Sequence, residues 1–126
     1  VRDFLTLADI LTIHADQIEA YGGTHGVRDP GLLEAALYRA QTGYYSDLVE
    51  EAVALWESLS QNHPFPDENK RTAFAAMHTF LQINGGERAA DADDAFEFVS
   101  GLYETGTFRF ENLEAWLRSR VRTRTA

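Results

Sequence analysis

The chain has no cysteine, a single lysine and three prolines among 126 residues, and its Asp and Glu outnumber Lys and Arg by 20 to 11. Without cysteine there is no disulfide scaffold, no thiolate zinc site and no thiol nucleophile, which fits a reducing compartment. No apolar run approaches the roughly 20 residues that a membrane-spanning helix needs, and the first residues lack the charged-then-apolar pattern of a secretory leader. A cytoplasmic protein with no membrane partner is the expectation. The formal net charge of −9 repels nucleic-acid phosphates, so no direct DNA binding is expected. Arg118, Arg120, Arg122 and Arg124 are a local exception, read as cations near a helix C-terminus, where the helix dipole favours them.

What is present suffices for a fold. A hydrophobic share of 44% with eight Phe, five Tyr and two Trp supports one packed core in a chain of this length, and neither repeats nor linkers divide it. A single domain over residues 1–126 is predicted. Leu7, Ile10, Leu11, His14 and Ile18 recur at helical spacing, with Thr6 and Asp9 as a capping pair and Gly22-Gly23 as a stop. Asp29-Pro30 opens a second helix with Leu33, Ala36, Leu37 and Ala40 on one face. After a break at residues 41–46, a third helix turns Val49, Ala52, Val53, Trp56 and Leu59 inward and ends near Asn62.

A fourth helix is predicted from about Asp67 to Asn84, with Phe74, Met77, His78 and Leu81 on one side and Ala73, Ala76, Phe80 and Ile83 on another. A helix apolar over most of its circumference is surrounded by others, so this one is expected at the centre. Asp91 would cap a fifth helix reaching Glu104, and a sixth runs from about Glu111 through Leu113, Trp116, Leu117 and Val121. Only residues 107–110 could be strand. The fold class predicted is all-α, a bundle of about six helices around a buried central one.

The chemistry is concentrated in residues 62–72, where a loop containing Pro64 and Pro66 runs into the central helix. Phe65, between the prolines, is a loop anchor that turns into the core and fixes where His63 points. Lys70 and Arg71 sit in the first turns of the helix, where the dipole already presents positive charge, so local stability does not favour them. A bound anion reverses that balance: free N–H groups, the dipole and two cations converge on it, and phosphate is the natural candidate. Lys70 is the only lysine beside ten arginines; a compact ammonium and a planar guanidinium would divide the work of holding phosphate. Asp67 reads as an N-cap, as a Mg²⁺ ligand, or as both through different oxygens. His63 supplies an imidazole, a side chain suited to act as a base on a hydroxyl beside a terminal phosphate. His14 and His78 lie on apolar faces and read as core histidines; His25 reads as exposed.

The run His63-Pro64-Phe65-Pro66-Asp67-Glu68-Asn69-Lys70-Arg71-Thr72-Ala73 resembles the signature of the Fic/Doc superfamily, most closely its Doc (death-on-curing) toxins. Similarity continues upstream through Tyr21-Gly22-Gly23, Gly26-Val27-Arg28-Asp29 and Leu32-Leu33-Glu34, and downstream through Phe80-Leu81 and Asn84-Gly85. The resemblance implies a Fic-type helical fold and a bacterial toxin neutralised by a Phd-like antitoxin. It also implies a kinase that transfers the ATP γ-phosphate to a threonine of elongation factor Tu and blocks translation. On matching positions, His63 would be the catalytic base, Asp67 the Mg²⁺ ligand, and Asn69, Lys70 and Arg71 the grip on ATP phosphates. Fic AMP transferases usually carry Gly at the position of Lys70 and a second Arg at that of Phe74, so both residues favour the kinase branch, with AMP transfer as the alternative. Glu68 departs from the pattern, because family members have Gly or Ala there. Its carboxylate would repel the nucleotide, swing outward, or join Asp67 at the metal, and a catalytically impaired binding module is the second alternative.

Overall fold

The computed structural model describes residues 2–88 and 92–123. Among them are six helices: α1 (Leu7–Tyr21), α2 (Pro30–Arg39), α3 (Leu48–Asn62), α4 (Asn69–Ile83), α5 (Ala92–Thr105) and α6 (Phe110–Arg118). The all-α expectation holds. The first three begin as their sequences dictate. The Thr6 hydroxyl accepts from the Asp9 N–H at 3.2 Å while the Asp9 carboxylate accepts from the Thr6 N–H at 2.8 Å, a reciprocal capping box. Asp29 caps α2 by accepting from the Leu32 N–H, with Pro30 in the first turn, and Asp47 caps α3 by accepting from the Glu50 N–H. The expected cap at Asp91 lies outside the described residues, as does Arg124.

The centre is a pair of helices. Ala73, Ala76, Met77, Phe80 and Leu81 of α4 are buried as predicted, but in α3 five successive residues, Ala52 to Trp56, are buried too, which leaves that helix little solvent face. Ile83, assigned inward from the sequence, is 46% exposed at the end of α4. Trp56 is the hub, with ring centroids 5.6 Å from Phe74, 6.0 Å from Phe108 and 5.8 Å from Trp116. Phe98 stacks on Trp116 and Tyr103 on Phe108, so aromatic packing carries α5 onto the core.

Two sequence expectations are corrected. Residues 107–110 are not a strand: Phe108 is buried outside any regular element and Phe110 begins α6. The strands are instead β1 (Gly86–Arg88) and β2 (Val121–Thr123), antiparallel with Glu87 opposite Arg122. Val121 therefore opens a strand and does not extend α6. The arginine cluster is partly spent on neighbours, since Arg118 lies 3.0 Å from Asp47 and 2.9 Å from Glu114 and the Arg120 guanidinium sits over the Trp116 ring.

Candidate active site

A cleft of about 890 Å³ opens where α1, α4 and α5 meet the loop between α3 and α4. His63, Asp67, Glu68, Asn69, Lys70 and Arg71 all line it, facing Tyr21 of α1 and Val99 and Tyr103 of α5. That volume lies in the range of small-molecule sites.

The loop is held from several sides. His63 ends α3 in the left-handed region at φ 48, ψ 54, a conformation that costs a non-glycine residue about 1–2 kcal/mol. Its carbonyl and that of Asn62 accept from the Arg28 guanidinium at 2.7 and 3.1 Å, and the Pro64 carbonyl accepts from the main-chain N–H groups of Arg28 and Asp29. Phe65 is 1% exposed, as its anchoring role requires. The Phe65 N–H donates to Asn69 Oδ1 while Asn69 Nδ2 donates back to the Phe65 carbonyl. The Asn69 side chain thus serves the loop.

Asp67 is fixed from α1 and the turn after it. His14 is buried, and its ring lies flat against Phe65 with centroids 3.8 Å apart. Its Nε2 is 3.0 Å from the Asp67 carbonyl; a carbonyl only accepts, so Nε2 carries the proton. Burial disfavours the imidazolium and lowers the His14 pKa below its ordinary value. The Asp67 carboxylate accepts from the Thr24 N–H at 2.7 Å through Oδ2. Gly23, at φ +120, makes this approach possible, because a Cβ there would lie 2.9 Å from the Asp67 Cβ.

The N-cap reading of Asp67 is therefore corrected. α4 starts two residues later, at Asn69, with Glu68 as N-cap in the left-handed region at φ 62 and no side-chain cap. Asp67 spends its oxygen across space on Thr24. Whereas α1, α2 and α3 each have a capping side chain, the first N–H groups of α4 have none, a polarised start suited to an anion. The Glu68 carboxylate swings to Arg71 instead, with Oε2 3.2 Å from Nη1. The Arg71 guanidinium lies 3.9 Å over the Tyr21 ring, and the Lys70 ammonium lies 4.0 Å over the Tyr103 ring. Both cations are thus oriented on aromatic plates. Burial pushes the Tyr103 hydroxyl pKa up, so that ring stays neutral beneath the ammonium.

For a cation, the arrangement fits one that uses few protein ligands. Among the described residues no three His, Cys, Asp or Glu groups gather into a metal site. Mg²⁺ typically takes one or two carboxylates and fills its shell with water and phosphate oxygens, and Asp67 engages Thr24 through Oδ2 alone, so its Oδ1 suits that part.

His63, Asp67, Glu68, Asn69, Lys70 and Arg71 thus reach one cleft, while Phe65 is buried in the core and does not line it. The sequence did not reveal His14, Thr24 and Arg28 as supports of the loop, nor Tyr21 and Tyr103 as the plates. Tyr44 is 84% exposed, while Tyr45 accepts from Arg39 and stacks on Phe110; neither lines the cleft.

The Fic/DOC family profile matches residues 4–81. The chain belongs to the Fic/Doc family. It is 48% identical over 98 residues to "Toxin Doc" of Mycolicibacterium smegmatis, a match covering 74% of this chain and 73% of that protein. It is 35% identical over 81 residues to "Protein kinase doc" of Escherichia phage P1, covering 61% of this chain and 64% of the phage protein. The profile match runs through α1 to α4 and includes the whole loop. Tyr103, on α5, lies beyond it, so one wall of this Fic/Doc cleft is built by residues outside the matched span.

Proposed function

We propose that this Fic/Doc protein is the toxin of a bacterial toxin–antitoxin pair, a cytoplasmic Doc-type protein kinase. It would transfer the ATP γ-phosphate to a threonine of elongation factor Tu, block translation, and be held in check by a Phd-like antitoxin. The names of the two relatives support the toxin and phosphotransferase class. The observation that carries the chemistry is the uncapped start of α4, where Lys70 and Arg71 flank free N–H groups in a cleft shared with His63 and Asp67.

ATP with Mg²⁺ supplies the phosphoryl group and neutralises part of its charge. The protein's own work is positioning and electrostatics, which dominate phosphoryl transfer. The α4 N–H groups, Lys70 and Arg71 hold phosphate oxygens, Asp67 holds the cation, and His63 takes the proton from the incoming hydroxyl. Lys70 in place of Gly and Phe74 in place of a second Arg favour the γ-phosphate over AMP as the transferred group. No helix among the described residues is long and apolar enough to cross a membrane.

The test is incubation of the chain with Mg²⁺, elongation factor Tu and ATP labelled at either the γ- or the α-phosphate. Label from the γ-position alone should reach a threonine, falling about 10²–10⁴-fold in His63→Ala. Transfer of the α-label would establish AMP transfer instead, and transfer of neither would refute the enzyme reading. A second reading, a binding module with a silenced site, is favoured by one observation: the Glu68 carboxylate already occupies Arg71.

A further inference from the structure

Arg28 is an exposed arginine in a chain with 20 acids, yet among the described residues no carboxylate lies within ion-pair distance of it. Its donors go to main-chain oxygen: Nε to the His63 carbonyl at 2.7 Å and Nη2 to the Asn62 carbonyl at 3.1 Å. The last carbonyls of a helix lack intrahelical partners, and the helix dipole places negative charge there. A planar guanidinium can bond two adjacent carbonyls at once, which a single ammonium cannot do with the same geometry. The first of these acceptors belongs to the residue held at φ 48, a backbone that a histidine adopts only under constraint.

We infer that Arg28 is a positioning residue that fixes the His63 backbone, and with it the imidazole, from a loop 35 positions upstream. This rests on the proposed role of His63 as the base. The fold does not depend on the guanidinium to join these segments. The main-chain N–H groups of Arg28 and Asp29 still hold Pro64, and Asn62 Nδ2 still holds the Leu32 carbonyl at 3.1 Å. Nor does the guanidinium touch Asn69, Lys70 or Arg71, so nucleotide binding is independent of it. Losing the side chain therefore loosens one catalytic group and spares the phosphate grip, a split that a general scaffold residue would not produce.

The test compares Arg28→Ala and Arg28→Lys with the unaltered chain. Three readouts are needed: kcat and ATP KM for phosphorylation of elongation factor Tu, the thermal unfolding midpoint, and hydrogen exchange of the Phe65 amide. In Arg28→Ala, kcat should fall by about ten-fold or more with ATP KM within about two-fold, since small misplacement of a reacting group is costly. The midpoint should shift little, and the Phe65 amide should exchange about ten-fold faster. Arg28→Lys should stay near the Ala variant. The inference is overturned if kcat is unchanged, if kcat and ATP KM move together with the midpoint, or if Lys restores full activity. If the unaltered chain transfers nothing, the kinase reading fails by itself and the exchange readout decides: faster exchange at Phe65 supports the anchor, and unchanged exchange overturns it.

Discussion

Replacing Glu68 asks whether the chain's own carboxylate stands where a nucleotide phosphate would dock. Glu68→Gly should leave the fold intact. Its left-handed backbone at φ 62 suits glycine, and the relief of about 1–2 kcal/mol is offset by the extra freedom of an unfolded glycine, about 0.5–1 kcal/mol. Loss of the i,i+3 pair with Arg71 removes a further 0.2–0.5 kcal/mol or so. Binding is where the change shows. Two unit charges about 5 Å apart interact by roughly 0.8 kcal/mol in water-like surroundings and about 3 kcal/mol at an effective dielectric of 20. The Arg71 side chain is 44% exposed and that of Glu68 18%, so the lower part of that range applies. Freeing Arg71 and removing the repulsion should tighten Mg–ATP binding by about 1–2 kcal/mol, roughly 5–30-fold in Kd. Isothermal titration of unaltered, Glu68→Gly and Glu68→Gln chains measures this and separates two causes. Gln removes the charge and keeps the side chain, so a gain confined to Gly identifies backbone approach as the obstacle. Equal Kd for all three would show that the Glu68 carboxylate does not obstruct the nucleotide.

The remaining predictions concern the supports of the loop. His14 has a folded pKa held below 6.5 by burial, so as pH falls through 6.5 the unfolded chain binds the proton first. Stability is full above that pH and declines below it until the folded pKa is reached, by at most about 1.4 kcal/mol per pH unit. Urea unfolding at pH 7.5 and 5.5 should show the loss, and His14→Phe should abolish the contribution of this site. Gly23→Ala forces a side chain into φ +120 and a 2.9 Å contact with Asp67; a loss of about 1–3 kcal/mol is expected in denaturant unfolding, together with weaker Mg²⁺ dependence of transfer. Phe65→Ala, removing a ring 1% exposed, should cost about 3–5 kcal/mol, and a loss under about 1 kcal/mol would contradict its role as anchor.

How much of this was legible from sequence follows from the range of each contact. Thr6 with Asp9, and Asp29 with Pro30, are local signals, and α1 and α2 begin where they say. Asp67 looks like a cap because Asp usually is one, but its oxygen is taken by Thr24, 43 positions away, and no local pattern records that. The three-residue strands β1 and β2 are too short for an alternation to show and pair across more than 30 residues, so Val121 read as the end of a helix. His14 was recognisable as a core histidine from its spacing. That it steadies the Asp67 carbonyl, 53 residues on, was not. The candidate cleft was legible because most of its polar lining is contiguous from His63 to Arg71, whereas Arg28, Tyr21 and Tyr103 come from other elements and are brought to it or to its loop only by folding.

Nucleotide phosphates are expected to dock at the uncapped start of α4. A crystal of the chain grown with Mg²⁺ and a non-hydrolysable ATP analogue tests it directly. The phosphates should lie against the N–H groups of Asn69, Lys70 and Arg71, with the Glu68 carboxylate turned off the Arg71 guanidinium and His63 facing the terminal phosphoryl group. Phosphates bound elsewhere on the molecule, or a cleft without nucleotide in which Glu68 still holds Arg71, would contradict it.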